Sequence, residues 1–525
     1  MTFDKKVFYL LITLCIFYSC TTKKEKPAEP KVDESIPGNF STQTEKKLDT
    51  ISLQHFIDSF PRFVSIQNEM KTFYTGRNNA YAWFDSAGMI EQAANLFNRI
   101  KNISDEGIDS NKMFYQKELN DLMEQSGQAS DSSVLKTELM LTAQYLTYAK
   151  TVWTGIDEKE SIAMEWLLPR KKIEYTQMLD SLLSGKDVLT DPPVYKQYYL
   201  LKDFLKKYRE AEKLDTGKIT TTLAVIKKGD SLPEVSSIRH KLFLLGDIAQ
   251  NSGSDNFDDD LETAVKSFQE RFGLKTTGQV KKAELDELNI STKERVQQIL
   301  VNMERSRWVT KDAAKDYLIV NIPEYKLHVI ENDSLAWDMN VVVGRNQSKT
   351  VIFNGDMKYV VFAPYWNIPS SILKNEVLPG IKRNKNYLAS HNMEWNGGNV
   401  RQKPGPNNSL GLVKFLFPNS HSIYLHDTPS KSLFSETDRA FSHGCIRLSE
   451  PKKLATYLLR NDSNWTNDKI TAAMNGGTEK YVTLKKTVPV FIVYFTAWVS
   501  SETGKLNFRK DIYQRDGRLL EMLLK

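Results

Sequence analysis

Ser422-Ile-Tyr-Leu-His426-Asp427 and, beyond a polar loop, Phe441-Ser-His-Gly-Cys445-Ile-Arg-Leu448 are the stretch from which the rest of this chain is read. The first segment alternates, so Tyr424 and His426 share one face of a strand while Ile423 and Leu425 share the other, core-facing one. The second segment holds Cys445, two positions after His443 and nineteen after His426. A thiol needs a base and an oxyanion donor to become an acyl-transfer catalyst, and this stretch can supply both. The glycine before Cys445 lets backbone approach a ligand closely. A helix starting just after Cys445, near Ser449-Glu450-Pro, would turn its amides toward a thiolate, and an adjacent imidazole would lower the thiol pKa. Of the two histidines, His443 is nearer in sequence. On an extended backbone a residue two away stands roughly 7 Å off with a parallel side chain, which suits pocket lining, so His426 is the better base.

The cysteine count sharpens this. The 525-residue chain has three cysteines, Cys15, Cys20 and Cys445. Lys5 and Lys6 precede a twelve-residue apolar run from Val7 to Tyr18, and Ser19-Cys20 follows. A basic segment, a short apolar one and a small residue before cysteine form a secretory signal with a lipoprotein cleavage site, too short to span a bilayer comfortably. Residues 1–19 are then a signal peptide, Cys20 is lipidated, and Cys445 is left without a disulfide partner in an exported protein. Residues 20–50 are proline-rich and charged, as a flexible tether is. No later segment reaches the ~18 apolar residues of a membrane helix. The polar Thr-Thr-Lys-Lys after Cys20 favours the periplasm, anchored to a bacterial membrane, in this reading the outer one.

Length alone suggests three or four domains at roughly 150 residues each. A net charge of +6, with no basic run interleaved by aromatics, gives no reason to expect nucleic acid as a partner. No His/Cys/Asp/Glu cluster has metal-ligand spacing, so neither metal nor other cofactor is expected. Residues 51–227 carry helical periodicity without a catalytic constellation and read as a scaffold. Residues 228–290 contain Ala264-Val-Lys-Ser-Phe268-Gln-Glu-Arg-Phe272-Gly273-Leu274, with Val265, Phe268 and Phe272 on one stripe and Gly273 placed to stop the helix. With Gly278 and Val280 after it, this resembles the three-helix peptidoglycan-binding module. A connecting helix lies within 291–314. From 315 to 500 the period switches to two, the mark of a β-rich domain, and 501–525 is a C-terminal extension. An insertion at about 367–412, starting just after Trp366, is long enough to be a lid. The fold class is multidomain α+β. Histidines 55, 240, 328 and 391 read as surface or core, and His421, off the shared face, as structural.

The pattern His426, fifteen residues, then Ser442-His443-Gly444-Cys445-Ile446-Arg447 resembles the catalytic domain of the L,D-transpeptidases. The scaffold, the peptidoglycan-binding module, the insertion and Asn302-Met-Glu-Arg-Ser-Arg-Trp308 resemble its large multidomain members. The resemblance implies Cys445 as nucleophile, His426 as base, and Tyr424 with the Cys445 amide as oxyanion donors. It implies that Arg447 orients substrate and that Ser442, His443, Gly444 and Trp366 line the site. The insertion becomes a substrate-capping subdomain, and the Asp427 carbonyl becomes the third member of the triad. The implied reaction passes an acyl group from a tetrapeptide stem through a thioester to an acceptor amine, giving 3→3 cross-links, with carbapenems as inhibitors. Two alternatives stay open: an L,D-carboxypeptidase that gives the same thioester to water, and a non-catalytic peptidoglycan-binding lipoprotein. A papain-type peptidase has its cysteine before its histidine, the reverse of the order here.

Overall fold

The computed structural model describes residues 46–125, 130–186, 188–189, 192–309 and 315–524. The expected signal peptide, Cys20 and nearly all of the tether lie outside the described residues.

Up to residue 308 the described residues are mainly helical, with one short hairpin that pairs Phe84–Asp85 with Gly88–Met89. Helix α1 (Asp131–Ala149) is buried on nearly every side from Thr137 onward, and α2 (Gln197–Glu212) buries a stripe that includes Tyr198, Leu201, Leu205 and Tyr208. In α1 the buried Glu138 carboxylate accepts from the Ala82 and Trp83 amides at 2.6 and 2.9 Å and from the Tyr74 hydroxyl at 2.8 Å, which satisfies a group that burial would otherwise penalise. Three short helices follow: α3 (Pro233–Leu245), α4 (Asp259–Arg271) and α5 (Lys282–Leu288). The expected stripe of Val265, Phe268 and Phe272 is buried. Gly273 ends that helical run at φ +67°, and a Cβ there would stand 2.5 Å from Arg509 Nε. Both the conformation and the space require glycine. Helix α6 (Thr292–Trp308) opens with a capping box, Ser291 with Glu294.

Outside the insertion, the second half opens with strands β1 (Tyr317–Asn321), β2 (Lys326–Glu331), β3 (Ser334–Gly344), β4 (Asn354–Phe362), β5 (Val413–Leu416), β6 (Leu425–His426), β7 (Ala440–Ser442) and β8 (Ile446–Leu448). After helix α7 (Pro451–Leu459) come β9 (Lys480–Val493), β10 (Ala497–Val499), β11 (Leu506–Phe508) and helix α8 (Asp516–Leu523). The large sheet runs β7-β3-β8-β6-β5-β4-β9-β1-β2, and a further β2–β3 pairing closes it on itself into a barrel. Its core holds the residues of one parity, among them Leu318, Val320, Leu327, Val360, Phe415 and Leu425. This is the period-two pattern of the sequence turned inward.

The overall architecture is α+β: helices first, then a β-rich domain. Residue 500, where alternation stops, falls between the paired strands β10 and β11. That hairpin does not join the barrel core. Ala497, Val499, Leu506 and Phe508 pack into the core of the helical half, and Gln197 clasps Val499 through two 2.8 Å hydrogen bonds to its backbone. Residues 501–524 are therefore a fitted connector between the two halves.

The insertion closes on itself. Trp366 pairs with Gln402 at its root, and the strand Asn399–Gln402 also pairs with Met393–Asn396. Ile368, Ile372, Val377 and Val400 form a small separate core.

Candidate active site

Strands β6 and β8 run parallel, with Leu425 opposite Ile446 and His426 opposite Arg447. One step back, this register sets Tyr424 beside Cys445, and the Ile446 amide donates to the Tyr424 carbonyl at 3.2 Å. Because adjacent strands share their pleat, Tyr424, His426, Cys445 and Arg447 all project from one face, while Leu425, Ile446 and Leu448 enter the core. The Tyr424 and His426 rings lie 5.7 Å apart. Sequence alternation predicts this sharing. Only two residues, Leu425 and His426, are in regular strand, and Ser422 turns the chain into it at φ +56°.

His426 is buried, and its Nδ1 lies 2.5 Å from the Asp427 carbonyl. A carbonyl only accepts, so Nδ1 carries the proton and Nε2 is left as the free base. Burial, reinforced by the nearby Arg447 guanidinium, pulls the His426 pKa down to about 3, against the opposing pull of the Asp427 bond. The ring is neutral at physiological pH.

The half-buried Cys445 thiol lies 3.7 Å from the Ser422 carbonyl, with Tyr424 beside it. Burial pushes its pKa up, and the Tyr424 contacts and Arg447 offset this only in part. Burial and the neighbouring sulfur likewise push the Tyr424 hydroxyl up, so it is a donor. The expected lowering of the thiol pKa by an imidazole is corrected: the resting pair is thiol and neutral imidazole, because both groups are desolvated. The helix expected near Ser449-Glu450-Pro is present, with Glu450 just before its first turn, but its expected action on the sulfur is corrected. Strand β8 follows Cys445 directly, and α7 begins only at Pro451, so no helix amides face the sulfur.

Ser442 is not a substrate contact. It is buried, its hydroxyl donates to the Cys445 carbonyl at 2.5 Å and accepts from the Gly444 amide at 3.1 Å, and so it holds the turn that presents the thiol. Gly444 is buried at φ +116°, a conformation L residues rarely adopt, and its role is that turn. Thr350 braces the same loop, donating to the Gly444 carbonyl at 2.8 Å and accepting from the Gly344 amide at 2.9 Å. His443 is exposed at the mouth, 3.3 Å from Arg345 Nη2 and 3.4 Å from Glu376 of the insertion. Arg447 buries an Nε without a hydrogen-bond partner. Trp366 is half-buried at the root of the insertion and packs against its small core.

Two further residues escaped sequence reasoning. Asp427, predicted only for its carbonyl, is buried and uses its carboxylate to hold the Leu412 amide at 2.8 Å, the Thr428 amide at 2.7 Å and Lys431 at 2.5 Å. It ties the end of the insertion to the loop after His426. Lys414 stands directly across β5–β6 from His426, on the same face, buried, with burial lowering its pKa. A lysine in an otherwise apolar segment, Leu412-Val-Lys-Phe-Leu416, was the available signal. His421 packs against Phe353 with ring centroids 4.9 Å apart. Among the described residues no group of three His, Cys, Asp or Glu could hold a metal ion, and no helix is long and apolar enough to cross a membrane.

A neutral thiol, a neutral imidazole of set tautomer and a phenol donor, gathered on one barrel face beside the insertion, are the parts of a cysteine acyl-transfer centre. Comparison with known proteins refines that class. Residues 315–490 match the L,D-transpeptidase catalytic domain, residues 68–205 a scaffold domain, and residues 231–288 a candidate peptidoglycan binding domain. The chain thus carries an L,D-transpeptidase catalytic domain, preceded by a scaffold domain and a candidate peptidoglycan binding domain. A curated protein of Haemophilus influenzae, named as a candidate L,D-transpeptidase, is 33% identical over 223 residues, which is 38% of this chain and 45% of that relative. The match thus spans less than half the relative's length. Among solved structures, an L,D-transpeptidase from Mycobacterium smegmatis is 15% identical, covering 34% of this chain and 59% of that one, with a TM-score of 0.20. An L,D-transpeptidase in complex with imipenem is 17% identical over the same shares, also with a TM-score of 0.20.

Proposed function

We propose that this protein cross-links peptidoglycan by L,D-transpeptidation, with Cys445 as nucleophile and His426 as base. The observation that carries the reading is the β6–β8 register, which sets Tyr424 and His426 on the face of Cys445, together with the Asp427 carbonyl that leaves Nε2 of His426 free. In the first half-reaction the Cys445 sulfur attacks the carbonyl of the third residue of a tetrapeptide stem as its proton passes to Nε2. The oxyanion is met by the Tyr424 hydroxyl and the Cys445 amide. Collapse of the tetrahedral intermediate breaks the C–N bond, His426 returns the proton to the leaving D-alanine amine, and a thioester remains. In the second half the side-chain amine of another stem attacks the thioester, loses a proton to His426 and expels the thiolate, which recovers that proton. The product is a 3→3 cross-link, formed by ping-pong acyl transfer.

The domains divide the work. The scaffold (51–227) and the binding module (228–290) hold the polymer, residues 367–412 cap the groove, and lipid on Cys20 with the tether keeps the body at a membrane outside the cytoplasm. Arg447 and His443 meet the substrate at the groove. Carbapenems, strained acyl donors, are expected to acylate the same sulfur. Intact-protein mass spectrometry with a carbapenem should give one adduct on the wild type and none on Cys445→Ala; an adduct on both sinks the assignment. Muropeptide analysis after incubation with tetrapeptide sacculi should show 3→3 dimers. Tripeptides without dimers would make water the acceptor and the enzyme a carboxypeptidase.

A further inference from the structure

A cavity of about 470 Å³ opens where the helical half, the peptidoglycan-binding module and the barrel meet. Its floor is the outward face of β1 and β2, where Ile319 lies opposite His328 in the ladder and Ile330 and Lys326 flank them. Its far wall is Trp498 and Arg509 of the connector with Gly273 and Leu274 of the module. In the closed strand order three strands separate β1 from β6 in either direction, so the cavity lies across the barrel from Cys445. It is no part of the groove described above.

Its charges are of both signs. His328 and Glu324 pair at 2.9 Å, and Lys326 pairs with Asp338 at 2.9 Å. Two half-buried cations on the lining make no ion pair among the described residues. Arg509 donates Nη1 to the Arg271 and Phe508 carbonyls at 2.6 and 2.8 Å, and Arg439 donates to the carbonyls of Val341, Glu436 and Tyr325. At the rim Glu270 and Asp438 are exposed, and they too form no ion pair among the described residues. Half-buried Ile319 and Ile330 give the floor an apolar patch between the charges. Exposed Lys196, Lys505 and Lys510 line the cavity as well, so both signs of charge alternate around it. A short peptide that carries carboxylates, an ammonium and small apolar side chains matches interior cations, rim acids and floor together, and the volume is that of a small-ligand site.

We infer that this cavity is a second, non-catalytic site that binds a zwitterionic stem peptide of the wall polymer. It would hold one stem on the far side of the barrel while another occupies the groove. The nature of the ligand rests on the function proposed above; the existence of the site rests on the cavity.

The test uses the full chain carrying Cys445→Ala and a disaccharide-tetrapeptide muropeptide, read by hydrogen–deuterium exchange. Protection is expected over 317–330 and 498–509, with affinity weakened at least about tenfold when Ile319→Trp fills the floor, as loss of a well-filled apolar contact predicts. The exposed rim changes Glu270→Gln and Asp438→Asn should each weaken it about two- to fivefold, the worth of a partly solvated charge contact. These surface changes keep the question open to test should the tryptophan variant misfold. No protection at 317–330, or protection that all three variants leave unchanged, overturns the inference. Protection over 413–426 is read in the same sample and reports separately on the groove, so either reading can fail alone.

Discussion

Replacing His426 with alanine should change the shape of the pH–rate profile as well as its height. In the wild type the imidazole, held to about 3, is unprotonated throughout the working range, and burial keeps the Cys445 thiol protonated well past neutrality. The reactive pair, thiol plus free base, is then the dominant form from pH 5 to pH 8. Acylation of Cys445 by a carbapenem, followed by intact-protein mass spectrometry at subsaturating inhibitor, should vary by no more than about twofold across that range. Without His426 only preformed thiolate reacts. With a pKa above the ordinary ~8.5 its share at pH 7 is a few per cent at most, and the rate should rise about tenfold per pH unit. Loss of a positioned base costs about 10²- to 10⁴-fold, or about 3 to 5 kcal/mol of barrier at pH 7. A flat profile would also come from a thiolate–imidazolium pair, so thiolate absorbance in the ultraviolet must be absent at pH 7 in the difference between wild type and Cys445→Ala. An inflection between pH 6 and 7 in the wild type, a tenfold-per-unit rise there, or thiolate absorbance at neutral pH would each refute the reasoning.

The same buried imidazole makes stability sensitive to acid. Its folded pKa lies below the unfolded value of about 6.5, so the stability it contributes is whole above pH 6.5 and falls toward pH 3 by up to about 1.4 kcal/mol per unit. Thermal melts of His426→Gln should therefore lose less between pH 6.5 and pH 4 than those of the wild type. Ser442→Ala leaves the Gly444 amide and the Cys445 carbonyl without their buried partner, at about 1 to 3 kcal/mol each. Carbapenem acylation should slow at least about tenfold, with faster amide exchange over 443–446 and exchange in the helical half unchanged.

Much of the site is legible in the chain because strand period and side-chain direction are locked together. Tyr424 and His426 are two apart, so any strand there puts them on one face. Their distance from Cys445 is another matter. That depends on the parallel pairing of β6 with β8, a contact between segments nineteen residues apart that no local pattern encodes. For Ser442 and Gly444 the resemblance implied only that they line the pocket. The turn they build uses the Cys445 carbonyl and the Gly444 amide, backbone groups that carry no sequence signature. The helix expected near Ser449-Glu450-Pro does form, at Pro451, but Ile446-Arg-Leu448 takes ladder positions on β6 and β3 and so sets a strand between that helix and Cys445.

By itself the sequence determined the α+β order of the chain, the helical stripe of Val265, Phe268 and Phe272, and the pairing of chemistry around a lone distal thiol. These follow from periodicity and residue type, which are local. Only the tertiary structure decided the charge state of the site. Desolvation comes from every element packed over Cys445 and His426, and it reverses the thiolate that the sequence led one to expect. Tertiary structure also decided the fate of residues 497–508, which leave the barrel core to fill the helical one. Their alternation marks a strand, but which core a strand's apolar face enters is settled by the space that distant segments leave open.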